Sequence, residues 1–125
     1  MDGDTFHVER DGRDVTVRLI GIDAPEVGWY GGTPECHGNR AGRVAVELLE
    51  GRTVRLEHDA DRLDRYGRTL AYAYLRDGRM VNVLLIRRGL ARVSIFHPND
   101  RHEDRLRRAE EAARRAGAGL WSACP

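Results

Sequence analysis

Apolar positions follow one period at the start of the chain and another later, and the change marks out the elements. Thr5 to Glu9 and Val15 to Ile22 are rich in β-branched and apolar residues and flank Asp11-Gly12. That pair suits the positive φ angles of a two-residue hairpin turn, so two antiparallel strands are predicted there. Gly28 to Gly38 is glycine-rich, contains Pro34 and predicts a loop. From about Asn39 to Leu49 the residues Ala41, Val44, Ala45, Leu48 and Leu49 share one face of a helix that should stop near Gly51. Thr53 to Glu57 and Arg68 to Leu75 read as strands, and Asp77-Gly78 as the turn into a helix from Val81 to Arg88 closed by Gly89. The last helix is predicted with Asp100 as N-cap and Glu103 three positions on. Leu106, Ala109 and Ala113 form its stripe, and Gly117 its stop. Periodicity alone gives a small α+β domain.

Length and charge narrow this further. A chain of 125 residues buries roughly two-thirds of its unfolded surface, enough for one modest core, so residues 1–125 read as a single domain. No apolar run approaches the ~20 residues that span a bilayer. The net charge of +1 combines 21 basic with 20 acidic residues, which excludes a uniformly basic surface. Affinity for nucleic acid would have to come from local patches. Every basic residue is arginine, a pattern that coding bias explains without a phosphate-binding purpose. The many helix arginines are interleaved with Glu103, Asp104, Glu110 and Glu111 and read as a solvated face.

Cys36 and Cys124 lie far apart, with no C-x-x-C or Cys/His ligand spacing, which argues against a zinc site. They form either a bridge that pins the C-terminal tail, pointing to a secreted or extracytoplasmic home, or two free thiols. The 5 histidines show no metal-ligand spacing in the sequence and read as surface or packing residues.

Three short segments carry chemistry: DGDT (Asp2 to Thr5), RLIGIDAPE (Arg18 to Glu26) and DRYGR (Asp64 to Arg68). A hard divalent cation takes oxygen ligands, and a phosphodiester under attack gathers negative charge that guanidinium forks match bidentately. Asp4, Asp23, Glu26, Arg18 and Arg68 together therefore read as a metal-assisted phosphodiesterase. Singly, Asp4 and Asp23 would more often cap turns, and Glu26 would be a solvated loop residue. Arg18 is the sole charge in an apolar strand, costly there unless paired. There is no serine or cysteine nucleophile motif and no P-loop.

These segments, with VNVLLIRRGLA (Val81 to Ala91), HPNDRHE (His97 to Glu103) and GLW (Gly119 to Trp121), resemble the staphylococcal nuclease-like (thermonuclease) domains over nearly the whole chain. The resemblance implies a five-stranded Greek-key OB-fold β-barrel with about three helices packed outside. It also implies an apolar first strand ahead of DGDT, whereas only Met1 precedes Asp2 here, so that strand is expected to be missing or truncated. Such an edge leaves a monomer, or a strand-exchanged or edge-paired dimer.

By resemblance Asp4, Asp23 and the carbonyl of Ala24 hold one calcium ion, Glu26 deprotonates the attacking water, and Arg18 and Arg68 grip the phosphate. Arg65 and Tyr66 match positions that bind a terminal phosphate. Phe96 stands where relatives carry a tyrosine that meets the substrate, and Ser94 where they carry another, so both hydroxyls and one ring are lost. Trp29 and Tyr30 are candidate replacements for that stacking. The implied activity is a calcium-dependent endonuclease on DNA and RNA that leaves 3′-phosphate and 5′-hydroxyl ends. The rival reading is a noncatalytic nucleic-acid-binding module on the same barrel, which would not need all five charged residues.

Overall fold

The computed structural model describes residues 3–25 and 36–124; Glu26, Trp29 and Tyr30 lie outside the described residues. The first hairpin forms as the pattern predicts. β1 (Thr5–Arg10) pairs antiparallel with β2 (Arg13–Leu19), Arg10 opposite Arg13, and Asp11 and Gly12 turn between them at φ 53° and 78°. Two successive left-handed residues are what a type I′ turn requires. Phe6, Val17 and Leu19 face the core, so strand alternation throws Arg18 to the opposite face.

β2 stops at Leu19, short of the predicted Ile22. Gly21 turns the chain at φ 80°, and β3 (Ile22–Asp23) leaves to pair with β6 (Arg92–Val93), a strand that the sequence did not signal. Hydrophobicity hides the bend because Ile20 and Ile22, on either side of it, are both buried. A side chain on Gly21 would collide with Leu106, so the bend also seats the last long helix.

β5 (Thr69–Tyr74) runs parallel to β2, and β4 (Arg55–Glu57) runs antiparallel to β5, which gives the order β1-β2-β5-β4. A parallel pair needs a crossover, and the stretch containing α1 (Gly38–Leu49) supplies it, burying Ala41, Ala45 and Leu48. Both later strands are shorter than predicted, and Arg68 sits just ahead of β5.

α2 (Val81–Arg87) buries Val81, Leu85 and Ile86, together with Asn82. The Asn82 side chain accepts from the N–H of Ala73 (3.0 Å) and donates to the carbonyl of Ile20 (2.8 Å), tying the helix to β5 and to the end of β2. α3 (Glu103–Ala116) buries Leu106, Ala109 and Ala113 and ends at Gly117, φ 61°. Its flanking residue is His102 rather than the predicted Asp100, whose carboxylate instead bonds Nδ1 of His97 at 2.8 Å. One further turn, α4 (Leu120–Ala123), was not anticipated. The N–H of Leu120 donates to the carbonyl of Gly89 at 2.8 Å, and a side chain at Gly89 would strike the Ala118 carbonyl. The Gly89 and GLW segments are thus two sides of one backbone contact.

The architecture is mixed α+β, and the sheet does not close. β1 and β4 are its edges, separated by a groove of about 960 Å³ that Phe6, Val8, Leu49 and Leu56 line. The described residues do not form the expected closed five-stranded barrel, because no described strand pairs with both outer edges. Cys36, ahead of α1, is disulfide-bonded to Cys124, after α4. No described helix is long and apolar enough to cross a membrane.

Candidate active site

Arg18 is the centre of one corner. Its Nη1 donates to the carbonyls of Leu19 (2.7 Å) and Ile22 (2.9 Å), the second brought within reach by the Gly21 bend. Its Nη2 stands 3.5 Å from Oδ2 of Asp4 and 3.9 Å from Oδ1 of Asp23. A charge that the sequence marks as costly is therefore answered by two carbonyl dipoles and two carboxylates.

Asp4 is held from behind. Gly3 packs against Ala24 and the Ala41 carbonyl, where a Cβ would already be tight, so the chain enters β1 close to α1. Oδ1 of Asp4 accepts from the Thr5 hydroxyl (3.0 Å) and Oδ2 from the buried N–H of Ala24 (2.8 Å). The Asp4 side chain is only 7% exposed, whereas Asp23 is 68% exposed. Asp4, Arg18, Asp23 and Ala24, predicted from two separate segments, share one corner.

Arg68 approaches from the other wall. A cleft of about 510 Å³ is lined by Arg18, Asp64, Arg65, Tyr66, Arg68 and Phe96, among others. Tyr66 and Phe96 are the most exposed large apolar side chains of this cleft, at 69% and 74%. The guanidinium groups of Arg65 and Arg68 lie 5.0 and 5.5 Å from the Tyr66 ring centroid, a basic and aromatic lip. Ser94 also lines the cleft.

Two residues of this region were missed in the sequence. Asp64 accepts the N–H groups of Tyr66 and Arg68 on Oδ1, both at 2.9 Å, and Nε of Arg68 on Oδ2 at 2.6 Å. Burial pushes its carboxyl up, but the bonds from Arg68 and Tyr66 outweigh this and hold it below the usual carboxylate range. The signal was available, since an Asp followed by Gly at the third place and Arg at the fourth forms an Asx-type turn. Asn99 is buried and exchanges two bonds with the backbone of Asp61 (2.7 and 2.9 Å), fastening the turn after Phe96 to the loop leading to Arg68.

The histidines need one correction. Nitrogen and oxygen atoms of His97, Asp100 and Glu103 lie within 4.8 Å of one another, a spacing that the sequence concealed because the turn at Pro98 folds His97 back. The group is largely exposed, and Glu103 is engaged by Arg107 at 2.8 Å. His102 pairs with Glu57 at 2.8 Å and serves packing.

The family described as Staphylococcal nuclease homologue matches residues 16–123. The thermonuclease of Staphylococcus intermedius is 39% identical over 97% of this chain and 71% of its own length. That of Staphylococcus hyicus is 37% identical over 98% of this chain and 72% of its own. Endonuclease YncB of Bacillus subtilis (strain 168) is 37% identical over 98% of this chain, which spans only 58% of that protein. With a family match over most of its length and relatives of this similarity from end to end, the chain belongs to the staphylococcal nuclease family.

Proposed function

We propose that the chain is a calcium-dependent endonuclease that hydrolyses phosphodiesters of DNA and RNA, leaving 3′-phosphate and 5′-hydroxyl ends. The observation that carries this reading is the pairing of Arg18 and Arg68 on one cleft, with the Asp4 and Asp23 carboxylates set against Arg18. The names of the relatives, thermonuclease and endonuclease, support the same reaction class.

The donor set fits a hard divalent cation. Asp4 and Asp23 both approach the same guanidinium nitrogen, and the ligand atoms that they offer are carboxylate oxygens. Asp4, Asp23 and the Ala24 carbonyl would hold the ion, which when bound supplies Lewis-acid stabilisation of phosphate charge. The chain's own groups do the rest. Arg18 and Arg68 present planar forks to the phosphate oxygens as negative charge builds. Glu26 takes a proton from the attacking water. The water oxygen bonds to phosphorus as the bond from phosphorus to the 5′ oxygen breaks, and that oxygen takes a proton from solvent water as it leaves. Tyr66 and Phe96 offer faces for bases on either side, with Arg65 beside them for a further phosphate.

The fold that we assign with this function is the five-stranded Greek-key barrel. β1 is antiparallel to β2, β2 parallel to β5, and β4 antiparallel to β5, so both free edges run in one direction. A single strand antiparallel to both would fit the groove between them and complete the barrel. The bridge between Cys36 and Cys124 supports a secreted or extracytoplasmic setting.

The test incubates the purified chain with single-stranded DNA, duplex DNA and RNA, each with calcium, magnesium or chelator, beside a Glu26→Gln control. Cleavage that needs calcium, falls by about 10²-fold or more in the control and leaves ends that a ligase rejects until their phosphate is moved supports the reading. Metal-independent binding without cleavage would establish the noncatalytic module instead.

A further inference from the structure

We infer that Asp64 is the positioning residue for Arg68, aiming its guanidinium into the cleft by fixing Nε while folding the turn that presents it; this rests on the reading of that cleft as the active site. The carboxylate divides its two oxygens between two tasks. Oδ1 takes the backbone N–H groups of Tyr66 and Arg68, both at 2.9 Å, which closes the turn. Oδ2 takes Nε of Arg68 at 2.6 Å, which orients the side chain. The backbone completes the frame, with the N–H of Asp64 donating to the Arg68 carbonyl at 3.0 Å and that of Gly67 to the Asp64 carbonyl at 3.1 Å.

The consequence for Arg68 is specific. A guanidinium has five N–H donors in a rigid fork. Fixing Nε against Asp64 turns the edge made by Nη1 and Nη2 toward the substrate, where a phosphate can accept two parallel bonds. A long side chain that is 34% exposed would otherwise sample many rotamers and lose that freedom only at the transition state. Asp64 settles the orientation before substrate arrives, which is the condition for electrostatic stabilisation to act. The Asp64 side chain, only 16% exposed, is itself kept ionised by the bonds that it accepts, so the orientation holds at neutral pH.

The test separates orientation from folding of the turn. Asp64→Asn keeps an oxygen for the two backbone N–H groups but places an amide, which cannot accept, opposite Nε of Arg68. Asp64→Ala removes both functions. In Asp64→Asn we expect kcat to fall by about 10- to 100-fold, as for other outer-sphere partners of active-site groups, with KM within about 3-fold and the melting temperature near that of the parent. The Arg68 Nε–H resonance should be shifted downfield and exchange slowly in the parent protein and lose both properties in the variant. In an Arg68→Ala background, Asp64→Asn should change the residual kcat by less than about 2-fold, because the two residues act as one unit.

Near-parental kcat in Asp64→Asn, or an Arg68 Nε–H signal indifferent to it, overturns the inference while leaving the active-site reading intact. An undiminished further loss in the Arg68→Ala background overturns it too, since Asp64 would then act without Arg68. Full activity of Arg68→Ala itself would remove the active-site reading and the inference together.

Discussion

Replacing Cys36 and Cys124 by serine opens a ring whose ends are 88 residues apart in the sequence. In the chain-entropy account, closing a loop of that length restricts the unfolded ensemble by about 15 cal/mol/K, or about 4.6 kcal/mol at 25 °C. Against the 5–15 kcal/mol typical of whole domains, roughly a third or more of the stability would be lost. The folded state gives little reason for the effect to be smaller. Cys124 follows α4, a single turn in which only Leu120 is buried, so the bridge is the main tie on the tail beyond the Gly89 contact. Urea unfolding of the oxidised protein and of the double serine variant, followed by circular dichroism, measures the difference. The m-value should rise in the variant as its unfolded state expands. A loss under about 1 kcal/mol with an unchanged m-value would refute the reasoning, as would native protein whose two thiols alkylate freely without reductant.

Other perturbations have equally definite outcomes. Arg18→Lys and Arg68→Lys should each reduce turnover by about 10²-fold or more with an unchanged circular dichroism spectrum, because a point charge cannot reproduce the guanidinium fork; near-normal activity in either refutes its role. Asn82→Ala should cost about 2–4 kcal/mol, since the Ala73 N–H and the Ile20 carbonyl both lose a buried partner, and a midpoint shift in urea equivalent to less than 1 kcal/mol would contradict the assigned bonds. Stability against pH should form a plateau. Burial raises Glu57, Asp59 and Asp64, but bonds from His102 and Tyr74, from Tyr72 and the Arg101 N–H, and from Arg68 outweigh it and lower all three. Their contribution is present above about pH 4, the unfolded carboxylate value, and is lost as pH falls through the lower folded values. Tyr72 and Tyr74 are raised, first by burial and then by their bonds to Asp59 and Glu57, so their contribution is full below about pH 10 and is lost as pH rises beyond it. Stability that increases on acidification from pH 5 to pH 3 in urea titrations would contradict these assignments.

What could be read in the sequence was what local period and turn chemistry decide. The Asp11-Gly12 turn, the apolar face of α1, and the Gly89 and Gly117 stops all follow from backbone preferences within a few residues. The predictions that missed depend on partners far away. β3 and β6 are two residues each and exist only because they meet, Ile22 opposite Val93 and Asp23 opposite Arg92. α3 is flanked by His102, whose imidazole pairs with Glu57 45 residues earlier, instead of by Asp100. In the site, residue types and spacing indicated Asp4, Arg18, Asp23 and Arg68. Asn99 was overlooked because its partners are backbone groups, which leave no trace in side-chain chemistry, whereas Asp64 stood in a turn signature that could have been read.

The run from Arg18 to Asp23 shows why its spacing carries more information than its composition. Asp23 lies five positions after Arg18, and a straight strand would place the two about 16 Å apart at ~3.3 Å per residue. They meet at 3.9 Å because Gly21, at φ 80°, reverses the chain between them. The same reversal swings the Ile22 carbonyl onto Nη1 and delivers Ala24, whose N–H then fixes Asp4. One glycine thus brings carboxylates from two segments of the chain around one arginine. A residue inserted between Gly21 and Asp23 would leave the apolar pattern almost unaltered and still pull the carboxylate away from its partner. The corner therefore depends on a backbone bend as much as on the charged side chains within it.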